Sequence, residues 1–199
     1  MTERELCRFV VARQYDGVVA HQPLIDHLSA NALRTDGPFT LRSGAVSEWY
    51  IDARQTTFDG VGAGHVGEAV LAVLRHDVRA VGGMTMGADP IAVATAVTAA
   101  ARGRDLKAFS IRKEEKDHGV GGRLVGPIDP SMPLAVLEDT TTTGGAAVEA
   151  ARFLLDEGYE VVQAIALVDR SGGRARENFT HLGIDYVALV TPEDLGVAP

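Results

Sequence analysis

Cysteine and long apolar runs are scarce in this 199-residue sequence. Cys7 is the single cysteine, which excludes an internal disulfide framework and is typical of proteins in the reducing cytoplasm. The longest largely apolar stretch, residues 91–101, is well short of the roughly 18 residues that a spanning helix needs. Residues 1–8 also lack the uninterrupted apolar segment of a secretory signal. We therefore expect a cytoplasmic protein with no membrane partner.

Basic residues are outnumbered as well: Lys and Arg total 19, Asp and Glu total 27, and the formal net charge is −8. A surface this acidic repels nucleic acid, so we expect no nucleic-acid partner. The six histidines do not follow zinc-binding spacing, and no Gly-Lys-Ser/Thr stands where a P-loop requires it. Residues 62–67 match G-x-G-x-x-G, but no apolar strand precedes them, so a dinucleotide site is not expected there.

Short apolar segments alternate with helical segments from about residue 60 onwards. The pattern predicts strands at 80–81, 106–111, 134–137, 161–168 and 186–190, with helices at 63–76, after Pro90, at 144–157 and at 174–182. Such alternation is typical of a mainly parallel sheet flanked by helices, so we expect one α/β domain over residues 1–199. Its core would occupy 59–199. Helical patterns at 3–15 and 23–34, with strand-like residues at 39–54, predict a small hood within residues 1–58.

Ligands bind beyond the carboxyl ends of the strands in sheets of this kind. This rule selects four loops, at 83–90, 112–126, 138–146 and 169–174.

The strongest motif begins where the predicted strand at 134–137 ends. Glu138 and Asp139 are followed by four threonines and then by Gly144 and Gly145, which open a helix. Threonine hydroxyls and successive backbone N–H groups at a helix N-terminus bind anions. Because two carboxylates would repel a bare phosphate, the motif favours a phosphosugar whose hydroxyls or magnesium shell the acids can hold. The alternative is a capped strand-to-helix turn without a ligand, since Thr is a favoured capping residue.

A second motif, residues 112–122, follows the predicted strand at 106–111. It combines a cluster of glycines with four potentially cationic side chains, Arg112, Lys113, Lys116 and His118. Concentrated cations in an acidic protein indicate a polyanionic ligand. The glycines at 119, 121 and 122 would let the segment close as a lid. The alternative is a solvated loop of mixed charge.

These two motifs together resemble those of the orotate phosphoribosyltransferases. Residues 138–146 resemble the family's motif for phosphoribosyl pyrophosphate (PRPP), and residues 112–122 resemble its catalytic loop. Three further segments resemble the family's N-terminal strand, its pyrophosphate loop and the segment that reads the orotate carboxylate: 39–44, 82–90 and 167–170. Three residues depart from the family pattern, because Arg42 and Glu138 replace Lys and Asp, and Met86 stands where some members have Lys.

The resemblance implies a type I phosphoribosyltransferase fold and an enzyme that transfers the phosphoribosyl group of PRPP to orotate, in pyrimidine (UMP) biosynthesis. It assigns catalysis at the departing pyrophosphate to Arg112, Lys113, Lys116 and His118. These four residues would bind PRPP together with Glu138, Asp139, Thr140, Thr141, Thr142, Thr143, Gly144, Gly145 and Ala146. Orotate would contact Thr142 and Arg170.

The same resemblance implies Mg²⁺ held mainly by substrate oxygens and water, with no residue of the chain as a direct ligand. It also implies a homodimer whose active site is shared through the 112–122 segment. A strained or non-proline cis peptide bond is expected near Met84–Thr85.

Two other functions stay open at this point: a related phosphoribosyltransferase for another base, and a PRPP-sensing regulator without catalysis. Arg170 favours orotate, because purines lack its carboxylate. The basic segment and the acidic surface disfavour a nucleic-acid-binding regulator. The pair Trp49-Tyr50 is either a platform for base stacking or, as the usual burial of aromatics favours, part of a core or interface.

Overall fold

The computed structural model describes residues 21–40, 44, 46–114 and 122–198. Within these ranges the helices are α1 (Gln22–Asn31), α2 (Arg54–Thr57), α3 (Gly60–Val73), α4 (Ala88–Ala101), α5 (Gly145–Asp156) and α6 (Arg174–His181). The strands are β1 (Leu33–Arg34), β2 (Phe39–Thr40), β3 (Val46–Ser47), β4 (Tyr50–Ile51), β5 (Ala80–Met84), β6 (Lys107–Ile111), β7 (Leu124–Val125), β8 (Leu134–Thr141), β9 (Val161–Asp169) and β10 (Asp185–Val190). The helix expected at 3–15 lies outside the described residues.

Six strands form the central sheet in the order β10-β9-β8-β5-β6-β7. All neighbours are parallel except β6 and β7, which form an antiparallel pair at one edge. Two short antiparallel ribbons, β1 with β4 and β2 with β3, precede this sheet in the chain. The predicted α/β fold with a mainly parallel sheet is confirmed.

Strand β8 shows how helices cover both faces of the sheet. Its side chains alternate, with Ala135 and Leu137 in one core cluster and Leu134 and Val136 in the other. The first cluster contains apolar residues of α1, α3 and α4, and the second contains those of α5 and α6. Burial on both faces explains why the sequence shows a continuous apolar run here, where a one-sided strand would alternate with polar residues.

The strand β8 is longer than its apolar run predicts. Pairing with β9 continues past Leu137, since Thr140 is opposite Val168 and Thr141 is opposite Asp169. Glu138 and Asp139 therefore lie on the strand, although the sequence placed them in the loop after it. Their backbone is fixed by the sheet, which restricts where the two carboxylates can go.

The glycines of the G-x-G-x-x-G match lie inside helix α3. A Cβ atom on Gly62 would lie 2.4 Å from the carbonyl oxygen of Thr56, and one on Gly67 would lie 2.4 Å from Oγ1 of Thr98. These two glycines thus permit close packing of α3 against its neighbours.

Helix α4 begins at Ala88, before Pro90 and not after it as the sequence suggests. Proline is tolerated there because the first turn of a helix has no intrahelical acceptors for its N–H groups. Among the residues covered by the structure, no helix has both the length and the apolar character that crossing a bilayer demands.

Candidate active site

The predicted loops meet at one edge of the sheet, where the parallel strands end. Met84 pairs with Ile111 at the ends of β5 and β6, and the backbone N–H of Thr85 donates to the carbonyl of Ile111 at 2.9 Å. On the other side, the backbone N–H of Arg170 donates to the carbonyl of Thr141 at 2.7 Å. The segments that follow β5, β6, β8 and β9 are therefore neighbours, as expected for a ligand site in this class of sheet.

The threonine loop, residues 140–146, is held by helix α6. The side chains of Arg174 and Asn178 donate to the carbonyls of Thr142 and Thr143 at 3.3 and 3.0 Å. Gly144 has a φ of +80°, and a Cβ atom there would lie 3.2 Å from Ala175, so only glycine fits this close approach. These contacts hold the carbonyls of Thr142 and Thr143 towards α6.

The amide groups of this loop are available for an anion. Within the described ranges, the backbone N–H groups of Thr142, Thr143 and Gly144 donate to no protein acceptor, and helix α5 begins directly afterwards. Unpaired amides beside a helix N-terminus create a positive electrostatic potential and bind phosphate. Thr142, Thr143, Gly145 and Ala146 are exposed, so a ligand can reach them. The geometry favours the anion-site interpretation over a turn without a ligand.

The two acids before the loop are electrostatically coupled. Burial, followed by the neighbouring Asp139, raises the pKa of Glu138 to about 8, and the Ala147 backbone amide and Lys113 oppose this shift. Burial also raises the pKa of Asp139, against hydrogen bonding from the Thr140 amide, which lies 2.7 Å from its Oδ1, and the charge of Arg54. At neutral pH Glu138 is therefore protonated. Together the pair can donate and accept hydrogen bonds, which suits two sugar hydroxyls.

Replacing Glu138 with glutamine is expected to stabilise the folded protein in alkaline solution. The pKa of this carboxyl is raised on folding, so its contribution to stability is intact below pH 4.5 and is lost as the pH rises towards 8. The Glu138→Gln variant should thus gain free energy of unfolding above pH 8, by at most roughly 5 kcal/mol at 1.36 kcal/mol per pKa unit. Denaturant unfolding across this pH range measures the gain. Glu160→Gln, at an exposed position, is the matched control. A constant gain at all pH values would contradict the assignment.

The basic segment is only partly described, and its described end is anchored. The backbone N–H of Arg112 donates to the carbonyl of Arg123, and Nε of Arg123 donates to the carbonyl of Arg112, both at 2.8 Å. Arg123 also pairs with Glu149 at 3.1 Å and lies over the Phe153 ring at 4.8 Å. The sequence carries no local signal for this anchor, because residues 112–126 were predicted as one loop.

Two described cations act on the acid pair: Lys113 lowers the pKa of Glu138, and Arg54 lowers that of Asp139. In the part of the chain that the structure covers, neither Arg112 nor Lys113 forms an ion pair with an acid. Lys116 and His118, with Gly119 and Gly121, lie outside the described residues, so their predicted roles remain predictions.

The glycines of the predicted pyrophosphate loop have different roles. A Cβ atom on Gly82 would lie 2.1 Å from the Phe109 carbonyl oxygen, and one on Gly83 would lie 2.3 Å from that of Leu137, so both permit close strand packing. A Cβ atom on Gly87 would lie 2.8 Å from the carboxylate of Asp139. A non-proline cis peptide bond joins Thr85 to Met86, next to the expected position. All three glycines therefore permit a close approach of neighbouring atoms.

Arg170 lies at the end of β9 in an unusual environment. Its guanidinium carbon is 3.7 Å from the centre of the Trp49 ring, and its Nη2 donates to the hydroxyl of Ser47 at 3.4 Å. Burial lowers its pKa, although a guanidinium stays charged in proteins. Among the described residues no carboxylate pairs with it. A partly desolvated cation without an acid is suited to an anionic ligand.

The two residues of the aromatic pair, Trp49 and Tyr50, differ in burial. Trp49 is 6% exposed, as a core residue would be, and Tyr50 is exposed and lies 5.9 Å from the Phe39 ring. Trp49 nevertheless contacts Arg170, so burial and a place in the site are compatible here. The sequence offered no signal for this contact, because the two residues are far apart in the chain.

The chain is similar in sequence to several named proteins, although no family model matches it. An orotate phosphoribosyltransferase of Rhodopirellula baltica is 38% identical over 184 residues, covering 89% of this chain and 94% of that protein. One from Streptomyces avermitilis is 41% identical over 162 residues, covering 81% and 89%. The chain belongs to the orotate phosphoribosyltransferase family.

A solved orotate phosphoribosyltransferase has the same fold. The Mycobacterium tuberculosis protein, in complex with PRPP, matches this chain with a TM-score of 0.75 and 29% identity. The match covers 89% of this chain and 99% of that one. The resemblance to orotate phosphoribosyltransferases in the two loop motifs, and the type I phosphoribosyltransferase fold it implies, are both confirmed.

Proposed function

We propose that this enzyme transfers the phosphoribosyl group from PRPP to orotate, forming orotidine 5′-monophosphate and pyrophosphate in pyrimidine biosynthesis. The observation that carries the proposal joins two features: the backbone N–H of Arg170 bonds to the carbonyl of Thr141, where the threonine loop begins, and the Arg170 guanidinium has no acidic partner among the described residues. One ligand with a phosphate at one end and a carboxylate at the other fits both. Orotate carries the carboxylate that a purine lacks.

Different residues of the site are assigned to different parts of the ligand. The amides of residues 142–146 and the exposed hydroxyls of Thr142 and Thr143 hold the 5′-phosphate. Thr140 and Thr141 precede them on the strand, and the Thr141 side chain is buried there, away from the predicted phosphate contact. Glu138 and Asp139 hold the ribose hydroxyls. Arg170 and Thr142 face orotate, since a planar guanidinium matches a carboxylate with two parallel hydrogen bonds. The ribose carbon passes through an oxocarbenium-like state as pyrophosphate leaves, so the residues act chiefly by alignment and charge stabilisation.

The leaving pyrophosphate is assigned to Arg112, Lys113, Lys116 and His118. Arg112 and Lys113 support this role, because both are cations at the edge of the site without acidic partners among the described residues. Closure of the 112–122 segment would exclude water and strengthen each of these contacts.

The residues present fit magnesium that is bound mainly through the substrate. Across the described ranges no group of three or more His, Cys, Asp and Glu side chains could hold a metal ion. Glu138 and Asp139 offer two carboxyls, one of them protonated at neutral pH, so they would act through ribose hydroxyls and water. When bound, Mg²⁺ neutralises charge on the diphosphate.

A homodimer with a shared site is part of the proposal. Val93 and Val97, one turn apart on α4, are 56% and 65% exposed, and Phe58, Val61 and Met86 are exposed as well. Exposed apolar side chains of this size favour a protein partner. A cytoplasmic location and the absence of a nucleic-acid partner are supported by the single cysteine and the net charge of −8.

The loss of orotate's ultraviolet absorbance in the presence of PRPP tests this function. We expect the loss with magnesium and little or none after chelation. Adenine, guanine and uracil in competition with orotate identify the preferred base. Preference for a purine would replace this function with that of a related transferase, and PRPP binding without turnover of any base would indicate a regulator.

A further inference from the structure

The Arg170 guanidinium lies on a platform formed by Trp49, Ser47 and Ala198. The indole lies 3.7 Å from the guanidinium carbon, and the Ser47 hydroxyl accepts a hydrogen bond from Nη2. The same hydroxyl donates to the carbonyl of Trp49 at 2.7 Å, which fixes the serine relative to the ring. The guanidinium therefore lies over the Trp49 ring and is bonded at Nη2 to Ser47.

Trp49 itself is fixed by a segment far along the chain. Its indole Nε1 donates to the carbonyl of Ala198 at 2.8 Å, across 149 positions of sequence. That segment is packed, because Leu195 is buried and the N–H of Val197 donates to the carbonyl of Pro192 at 3.0 Å. The indole therefore has a defined plane, since a ring held at its N–H cannot turn freely.

Among the described residues no carboxylate competes for the guanidinium, although the nearby Tyr50 raises its pKa against the larger effect of burial. The adjacent Asp169 accepts from the Ser171 amide at 2.7 Å and from the Tyr186 hydroxyl at 3.0 Å, so its carboxylate is engaged elsewhere. The orientation of Arg170 thus depends on Trp49 and Ser47. Stacking on an aromatic face leaves the N–H edges of a guanidinium free for a carboxylate.

We propose that Trp49 is a positioning residue that determines selectivity for a carboxylate-bearing pyrimidine, by fixing the plane of the Arg170 guanidinium. The inference rests on the proposed function. Two parallel hydrogen bonds to a carboxylate require a set orientation, whereas a pyrimidine without the carboxylate gains nothing from it. Trp49 would accordingly affect the base and leave PRPP binding unchanged.

The kinetic test compares Trp49→Leu, which removes the aromatic face, with Trp49→Phe, which keeps a face and removes the N–H. We expect KM for orotate to rise about tenfold in Trp49→Leu and less in Trp49→Phe, with KM for PRPP within about twofold. Tyr159→Leu, a half-buried aromatic at the opposite end of the sheet, should change neither constant. Equal rises in both KM values would overturn the proposal. If Trp49→Leu does not fold, the same comparison of KM for orotate with KM for PRPP is made with Trp49→Phe and Ser47→Ala.

A double-mutant cycle with Arg170→Gln separates positioning from a general loss of structure. If Trp49 acts through Arg170, then Trp49→Leu should lower kcat/KM for orotate little further once the guanidinium is gone. A reduction by the same factor in both backgrounds would show that the two residues act independently, which would overturn the proposal.

Tryptophan fluorescence gives a readout that does not depend on turnover, since Trp49 is the only tryptophan in the chain. Orotate, added with pyrophosphate and magnesium, should change the emission, and uracil under the same conditions should not. Equal responses to both bases, or no response at saturating orotate, would contradict the platform. If the wild-type enzyme does not consume orotate, the proposed function is wrong. Turnover of orotate with unchanged KM in both Trp49 variants would defeat this inference alone.

Discussion

In an Arg170→Gln variant, kcat/KM for orotate is expected to fall by about 10²–10³. Removing one partner of a desolvated, hydrogen-bonded charge pair costs about 2–5 kcal/mol, and the wild-type guanidinium lies in such an environment above Trp49. Glutamine keeps a hydrogen-bond donor and a similar reach but loses the charge and the planar fork. KM for PRPP should change little, because the phosphate is held by backbone amides and not by this side chain. Steady-state kinetics with each substrate varied in turn measures both effects.

Arg176→Gln is the matched control for this variant. Arg176 is an exposed arginine on α6, and its Nη1 donates to the carbonyl of Tyr186, away from the threonine loop. Its replacement should leave kcat/KM for orotate within about twofold, the range expected for surface substitutions. Similar losses in both variants would show that arginine replacement in this region disturbs the fold, and would remove Arg170 from the base site.

Lys116→Ala is expected to lower kcat by about 10²–10³ with the fold intact. A charged donor placed where negative charge develops in the transition state contributes about this much in other enzymes. Lys116 is outside the described residues, but the anchored backbone of Arg112 places the start of its segment at the sheet edge that holds the acid pair. Rapid-quench or steady-state kinetics gives kcat, and thermal unfolding checks the fold. Lys107→Ala, at the opposite end of β6, is the control.

A kcat within a few-fold of wild type would remove the 112–122 segment from the leaving-group site.

If Lys116→Ala and Asp139→Asn are each inactive, mixing the two proteins tests whether two subunits share a site. If the segment reaches the partner, hybrid dimers contain one intact site and recover activity. Subunit exchange without recovery would contradict sharing.

The order of strands and helices could be predicted from the sequence because each strand of the parallel sheet is a short apolar run. The ends of these runs were less predictable. Leu134–Leu137 was predicted as a strand, yet pairing with Val168 and Asp169 extends it to Thr141. Local composition cannot show this extension, since the polar residues Glu138 to Thr141 are held in the strand by their partners in β9 and not by their own preferences.

Some residues of the candidate site could likewise be predicted from the sequence, and others could not. The acid pair, the threonine loop and Arg170 could be found from motifs, because each follows an apolar run of a strand that ends at the same edge. Arg123 and Trp49 could not, since their roles depend on contacts with Arg112 and Arg170 that sequence distance conceals. The raised pKa of Glu138 likewise depends on burial in the folded protein.

The hydrogen bonds around α6 have a consequence for ligand length. The N–H of Arg170 is bonded to the carbonyl of Thr141, and Arg174 is bonded to the carbonyls of both Thr142 and Ser171. The backbone of Arg170 is therefore tied directly to the threonine loop, and this connection does not involve the 112–122 segment. We therefore expect selection by ligand length: a nucleotide with a longer spacer between base and phosphate would contact either the threonine loop or Arg170, but not both.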